Sequence, residues 1–280
     1  MLTSMRIEFL KMQGLGNDFF VFDAPAAGAH LDPDTVRALA DRRTGVGFDQ
    51  ALMLESARDS NHRVFYRIFN SDGTEVEQCG NGARCIAALL HSRAPQLGRE
   101  LSMESKGGLV RARVREDGLV SVELGVPNFD PASLPMDAPA EAPVYTLDVG
   151  GETVEFGAVS IGNPHAVIPV PDVKSAPVGR LGPAIERHKR FPQGTNVGFM
   201  QIVDRDHIRL RVFERGVGET LACGTGACAA VAIGRRRGLL EADVRVDLPG
   251  GGAYVSWPGF AQPVWLSGPA TTVFSGMVDI

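Results

Sequence analysis

Apolar residues in this chain come mostly in short runs separated by glycine, asparagine, aspartate and proline, a pattern that predicts many strands and few helices. Residues 6–11 and 19–23 read as strands on either side of Gly14-Leu15-Gly16-Asn17-Asp18, whose glycines and asparagine suit a turn, so Asn17 is expected on a loop. Asp32-Pro33-Asp34 then supplies a cap and a first-turn proline for a helix reaching residue 42. Gly45-Val46-Gly47-Phe48-Asp49-Gln50 interrupts the pattern before two apolar runs, 51–55 and 63–69, that read as paired strands followed by the turn Asn70-Ser71-Asp72-Gly73. From 82 to 92 small and apolar residues face several sides at once, which predicts a helix enclosed by sheet. Strands follow at 101–105, 109–116 and 119–124, turned by Gly107-Gly108 and Asp117-Gly118.

Pro127, Pro131, Pro135, Pro139 and Pro143 suit neither a helix nor a central strand, and mark the expected crossing between domains. Beyond them the plan repeats, which suggests a duplication. Ser160-Ile161-Gly162-Asn163-Pro164-His165 stands where Gly14-Leu15-Gly16-Asn17-Asp18-Phe19 stood, with Gly-Asn ahead of an apolar strand in both. A helix is expected over 178–189, and Gly194-Thr195-Asn196 takes the place of Asp49-Gln50. Strands at 197–203 and 207–214 lead to a second enclosed helix ending near 237, then strands near 244–248, 253–257, 264–267 and 271–274.

The two enclosed helices are introduced by related motifs, Glu77-Gln78-Cys79-Gly80-Asn81-Gly82-Ala83-Arg84-Cys85 and Leu221-Ala222-Cys223-Gly224-Thr225-Gly226-Ala227-Cys228. Arg67-Ile68-Phe69 precedes Cys79 at the spacing by which Arg211-Val212-Phe213 precedes Cys223, so the likeness extends beyond the cysteines.

Composition narrows the classes open to the chain. With 280 residues, 44% of them hydrophobic, it can bury a substantial core. A formal net charge of -5 argues against a binder of phosphate backbones, and the one basic run, Arg235-Arg236-Arg237, sits where cations complement the end of a helix. No segment approaches the roughly 18 apolar residues of a membrane span, and the first six residues lack the apolar core of a secretion signal. A cytoplasmic protein is expected, with Met5 as an alternative start. Four cysteines are too few for a disulfide scaffold in a chain this long, so their reactivity is the question.

Cys79/Cys85 and Cys223/Cys228 are spaced so that, at about 100° per residue, the members of each pair point apart on a helix, which disfavours a structural zinc site. Cys85 and Cys228 read as small buried residues inside their helices. Cys79 and Cys223 fall at helix N-termini, where unpaired N–H groups favour negative charge and are expected to lower a thiol pKa from about 8.5. Gly80, Gly82, Gly224 and Gly226 leave those N–H groups open to a carboxylate. Two such half-sites suit removal of a Cα proton by a thiolate on one face and its return by a thiol on the other. Taken singly, Asn17, Asn70, Asn81, Asn163 and Asn196 are turn residues by default, Gln50 a surface residue, Glu214-Arg215 an ordinary ion pair and His165 a structural histidine.

Across these motifs, from Gly14-Leu15-Gly16-Asn17-Asp18-Phe19 to Glu214-Arg215-Gly216 and Glu219-Thr220-Leu221-Ala222-Cys223-Gly224-Thr225-Gly226-Ala227-Cys228, the sequence resembles the diaminopimelate epimerase family of pyridoxal-independent epimerases over nearly its whole length. The resemblance implies an α+β fold of two pseudo-symmetric domains, each a mixed β-sheet or barrel wrapped around a central α-helix, spanning 1–124 with 269–280 returning to it, and 125–268. It implies interconversion of LL- and meso-2,6-diaminopimelate in lysine and peptidoglycan precursor synthesis, with no metal, flavin or pyridoxal cofactor. Cys79 and Cys223 would be the acid/base thiols, and the backbone of Gly80-Asn81 and Gly224-Thr225 would hold the reacting carboxylate. Asn17, Asn70, Asn163, Asn196, Glu214 and Arg215 would hold the rest of the substrate with Gln50 nearby, and His165 and Glu214 would tune the thiols. Thr225 stands where many members have serine, and Phe274 where members that form homodimers often have tyrosine. A proline or hydroxyproline racemase of the same fold is the nearest alternative, ahead of a thiol redox protein or an amino-acid binder.

Overall fold

Leu15 and Gly16, with φ of 57° and 82°, reverse the chain between β1 (Arg6–Gly14) and β2 (Asn17–Asp23) in a two-residue primed turn that sets Gly14 opposite Asn17. Two residues suffice for this turn, so Asn17 opens a strand instead of lying on a loop. This computed structural model describes residues 6–24 and 31–279, with only the backbone at position 97; the alternative start at Met5 lies outside the described residues. The chain divides into two units, one running to Val122 and resuming at Gly268, the other Glu123–Ser267.

In the first unit, β2 is followed by α1 (Pro33–Ala40), β3 (Gln50–Glu55), β4 (Phe65–Asn70), β5 (Glu75–Val76), α2 (Gly80–Arg93), β6 (Glu100–Ser105), β7 (Gly108–Val114) and β8 (Val120–Glu123). The strands pair in the order β1, β2, β3, β4, β6, β7, β8. The β2–β3 and β4–β6 pairs are parallel, the rest antiparallel, and β5 folds back on β4. Phe19, Phe20, Val21 and Phe22 of β2 are all buried, because helices cover both faces of this sheet and no polar alternation is needed. On one face Phe20 and Phe22 pack with Val36 and Leu39 of α1, whose start is capped by the Asp32 carboxylate accepting from the Asp34 and Thr35 amides at 2.9 and 3.0 Å. On the other, Phe19 and Leu52 press on Gly82 in the first turn of α2. Full burial of each such side chain contributes on the order of 1.5–3 kcal/mol.

The second unit repeats this frame. Its elements are β9 (Tyr145–Val149), β10 (Glu152–Ser160), β11 (Pro164–Pro169), α3 (Val178–Glu186), β12 (Asn196–Asp204), β13 (His207–Glu214), β14 (Gly218–Thr220), α4 (Gly224–Arg236), β15 (Asp243–Leu248), β16 (Gly251–Ser256) and β17 (Trp265–Gly268). They pair as β9, β10, β11, β12, β13, β15, β16, β17 with β14 on β13, and the parallel pairs, β11–β12 and β13–β15, fall at the matching places. Finally β18 (Thr271–Asp279) returns antiparallel to β1, running from Arg6 opposite Asp279 to Gln13 opposite Thr271, and gives the first unit the outer strand that β9 gives the second. Even an ion pair is duplicated: Arg67–Glu75 at 2.8 Å and Arg211–Glu219 at 2.6 Å.

Each central helix is buried nearly all round. In α4 every residue from Gly226 to Gly234 is buried, and the helix lies so close to β10 that a Cβ on Gly157 would come within 2.3 Å of Ile233. The proline-rich stretch holds no helix beyond a 3-10 turn at Pro131–Ser133.

Candidate active site

Cys79 caps α2. Its extended backbone (φ -151°, ψ 108°) turns the sulfur back onto the helix, where it accepts from the Gly82 amide at 3.4 Å. The same sulfur lies 3.8 Å from Asn17 Oδ1, which also accepts from Asn81 Nδ2 at 3.4 Å. The β1–β2 turn therefore brings Asn17 to the head of α2, and buried Leu15 in a left-handed conformation is the strained residue that makes the turn. Asn17 Nδ2 donates to Asp49 Oδ2 at 2.9 Å. At the neighbouring strand ends Gln50 Nε2 donates to Asn70 Oδ1 at 2.9 Å and Asn70 Nδ2 to the Thr74 hydroxyl at 3.2 Å. Gln50 is thus half-buried rather than a surface residue, because parallel pairing with β2 draws the start of β3 inward.

Cys223 occupies the N-cap position of α4 with a similar extended backbone (φ -114°, ψ 108°), and Gly224 opens the helix as Gly80 opens α2. Its sulfur lies 3.6 Å from Thr225 Oγ1, which accepts from Asn163 Nδ2 at 3.4 Å; Asn163 Oδ1 in turn meets His165 Nε2 at 3.0 Å. Asn196 is buried at the start of β12, donating to the Pro164 carbonyl at 2.8 Å and accepting from the Arg215 amide at 3.0 Å. Among the described residues Glu214 and Arg215 form no ion pair with each other. Glu214 accepts from the Thr220 hydroxyl, while the Arg215 guanidinium donates to the Gln193 carbonyl at 3.2 Å. Arg215 also lines an open cavity of about 530 Å³ beside Glu186, His188 and Gly194.

The expectation of lowered thiol pKa values is corrected at Cys223. Burial pushes this thiol well above its ordinary range and the nearby charge of Glu214 adds to the rise; hydrogen bonds from Thr225 and Gly226 act in the expected direction and are outweighed. Here burial and Glu214 outweigh what the helix N-terminus contributes. His165 is wholly buried, and burial, seconded by the charge of Arg215, brings its pKa down to about 3, so the ring is neutral. Cys85 inside α2 is pushed up to about 12 by burial. None of the four cysteines is in a disulfide.

Two residues of these half-sites were not legible as site residues, Asp49 and Arg84; Thr225, expected to act through its backbone, also bridges Asn163 and Cys223 with its hydroxyl. Arg84 left a signal, since it is the one charged residue in the otherwise small and apolar stretch 82–90 and is 0% exposed.

A family model for diaminopimelate epimerase matches residues 9–129 and 157–273. The diaminopimelate epimerase of Thioalkalivibrio sulfidiphilus is 55% identical over 278 residues, and that of Nitrosomonas eutropha 53% over 279; each alignment covers 99% of this chain and 100% of the relative. Among solved structures, a hydroxyproline epimerase from Agrobacterium vitis matches with a TM-score of 0.69 at 18% identity, covering 98% of this chain and 93% of that one, a likeness of α+β fold alone. Two cysteine-capped helices in a duplicated frame, matched from end to end at this identity, place the chain in the diaminopimelate epimerase family.

Proposed function

We propose that this chain interconverts LL- and meso-2,6-diaminopimelate, with Cys79 and Cys223 as the two proton-carrying thiols acting on opposite faces of one Cα. The observation that carries the reading is the repeated N-cap: in each unit a cysteine sulfur sits at the head of a buried helix whose first residues are glycine-rich. A carboxylate bound at the backbone of Gly80-Asn81 and Gly224-Thr225 meets N–H donors as its carbon gains enolate character, and each well-placed donor is worth about 2.7–4 kcal/mol in such reactions. In this reading the two units are the two half-domains. Asn17, Gln50 and Asn70 from the first, and Asn163, Asn196, Glu214 and Arg215 from the second, hold the remaining polar groups of the substrate. His165, neutral and hydrogen-bonded to Asn163, and Glu214, whose charge acts on Cys223, tune the second thiol. The enzyme works in the cytoplasm as a homodimer, and exposed Val273, Phe274 and Met277 on β18 supply an apolar surface for that pairing.

The test is solvent-deuterium exchange. Wild type incubated with LL-diaminopimelate in D2O forms the meso isomer with deuterium at the inverted Cα, while Cys79→Ala and Cys223→Ala each lose turnover and proline acquires no label. Exchange into proline but not diaminopimelate, or full turnover in either single variant, overturns the reading.

A further inference from the structure

In the first unit four side chains form one directed run of hydrogen bonds. Arg84 Nη2 donates to Asn81 Oδ1 at 2.9 Å, Asn81 Nδ2 to Asn17 Oδ1 at 3.4 Å, and Asn17 Nδ2 to Asp49 Oδ2 at 2.9 Å. A guanidinium offers only donors and a carboxylate only acceptors, so the two ends dictate which way both amides point. Reversing Asn17 would set its carbonyl oxygen against the Asp49 carboxylate. Asn17 therefore turns its oxygen, and not its NH2 group, toward the Cys79 sulfur at 3.8 Å. An acceptor at that position receives an S–H and repels a thiolate.

Both ends are built in. Arg84 is 0% exposed, and a Cβ on Gly14 or Gly268 would come within 3.2 Å of its guanidinium. Asp49 Oδ2 accepts a second hydrogen bond from the Asp18 amide at 3.1 Å, and Asp49 Oδ1 accepts from Arg42 at 2.7 Å. The second unit has neither end. The positions matching Arg84 and Asp49 are Cys228 and Thr195, and Asn163 there directs its NH2 group, not its oxygen, toward the cysteine side through Thr225.

We propose that Arg84 and Asp49 are positioning residues that set the direction of the Asn81–Asn17 relay and so hold Cys79 in its protonated form before substrate binds. The inference rests on the reading of Cys79 as a proton-carrying thiol. Ionisable groups near that sulfur include Tyr66 from β4 and Cys85 from α2; Asp49 lies beyond Asn17, with Asp18, Arg42 and Lys11 behind it, and Arg84 beyond Asn81. Burial raises the pKa values of Tyr66 and Cys85, so both are neutral at pH 7.

The experiment follows the rate of Cys79 alkylation by iodoacetamide against pH, read by peptide mass spectrometry on the full chain. Asp49→Ala is expected to lower the midpoint by about one pH unit, an alkylation roughly tenfold faster below the midpoint. Asp49→Asn stays near wild type, because its oxygen is drawn to the side that receives two N–H donors. In an Asn17→Ala background, Asp49→Ala adds nothing. If Asp49→Ala and Asp49→Asn shift the midpoint equally, or the Asp49→Ala shift survives in Asn17→Ala, the carboxylate acts only as a distant charge and the proposal fails. Arg84→Met supplies a sign test: the relay predicts a lower midpoint, whereas simple loss of a positive charge raises it. The Asp49 arms decide the matter even where Arg84→Met does not fold. No substrate is used, so the outcome is independent of which amino acid the enzyme inverts.

Discussion

Thr225→Val is the most informative single change at the second thiol, because valine keeps the shape and removes only the hydroxyl. Thr225 Oγ1 accepts from Asn163 Nδ2 at 3.4 Å and, having spent a lone pair there, is free to turn its own hydrogen toward the Cys223 sulfur at 3.6 Å. Removing the hydroxyl leaves the Asn163 amide without that acceptor in a half-buried place, a loss of about 1–3 kcal/mol. It also takes away one of the groups that oppose the upward push of burial and Glu214 on the Cys223 pKa. In the proposed two-thiol mechanism the Cys223 thiolate becomes harder to form, and kcat/KM falls alike from either isomer, because the ratio of the two directions is fixed by the equilibrium constant. At about 1.36 kcal/mol per decade, kcat/KM is expected to fall roughly 5- to 150-fold, with the rising limb of its pH profile displaced toward alkali. Thr225→Ser restores the hydroxyl and should restore both. Initial rates from each diaminopimelate isomer between pH 6.5 and 9.5, beside the alkylation midpoint of Cys223, measure the effect. A Thr225→Val enzyme with an unmoved pH limb, or a Thr225→Ser enzyme as slow as Thr225→Val, refutes the hydroxyl bridge.

His165 carries a pH signature. Its pKa in the fold is about 3 against an ordinary 6.5, so the unfolded chain binds the proton more readily and stability falls as pH drops from 6.5 toward 3. Between pH 6.5 and 4.5 the loss is about 2–3 kcal/mol, and urea unfolding of His165→Gln should lack that part of the slope; identical slopes in both proteins would count against a buried neutral ring. Gly157→Ala introduces a Cβ within 2.3 Å of Ile233, and overpacking of this kind costs about 1–3 kcal/mol, so calorimetry should show a melting temperature lower by roughly 2–10 °C; an unchanged temperature means α4 does not lie this close to β10. Cys85, with its pKa pushed up to about 12, should stay unalkylated in the folded protein at pH 8.5 while Cys79 reacts; comparable rates at the two thiols contradict its burial.

What was legible in the sequence followed from chemistry that is local. Gly-X-Gly after Cys79 and Cys223 marks helix starts because few residues but glycine leave the first-turn amides open, and both cysteines are N-caps. The repeat of strand, turn and enclosed helix was legible because both copies keep the Gly-Asn turn and the apolar run after it. β9 and β10 escaped notice: Tyr145-Thr146-Leu147-Asp148-Val149 alternates cleanly and Gly150-Gly151 turns the chain with φ of 63° and 87°, but the pattern follows directly on the proline-rich stretch. α3 ends at Glu186, short of the expected 189, and tolerates Pro183 inside it. β18 runs on to Asp279 because β1 supplies its ladder, not because its own exposed residues alternate. The raised Cys223 pKa was beyond local reading, since it depends on burial and on a glutamate from another strand. So were Asp49 and Arg84, whose importance lies in which side chain each one faces.

The two units share a frame and differ in their polar groups, and the difference bears on the proposed two-thiol mechanism, in which the two sulfurs play unlike parts in each turnover. In identical surroundings the two sulfurs would carry a shared proton equally often. A duplicated fold begins with that degeneracy: the same strand order, the same N-capped helix, the same Arg–Glu pair. It is lifted by substitutions that leave the backbone alone. Asn70 ends β4 where Glu214 ends β13, and the charge of Glu214 acts on the second thiol. Asn17 is turned oxygen-first toward Cys79, while Asn163 is turned NH2-first toward the hydroxyl that meets Cys223. Amide direction is an economical way to break the symmetry, because a half-turn about one bond exchanges donor for acceptor without moving an atom of the main chain. The charged ends of the Arg84–Asp49 relay keep that half-turn from happening by itself.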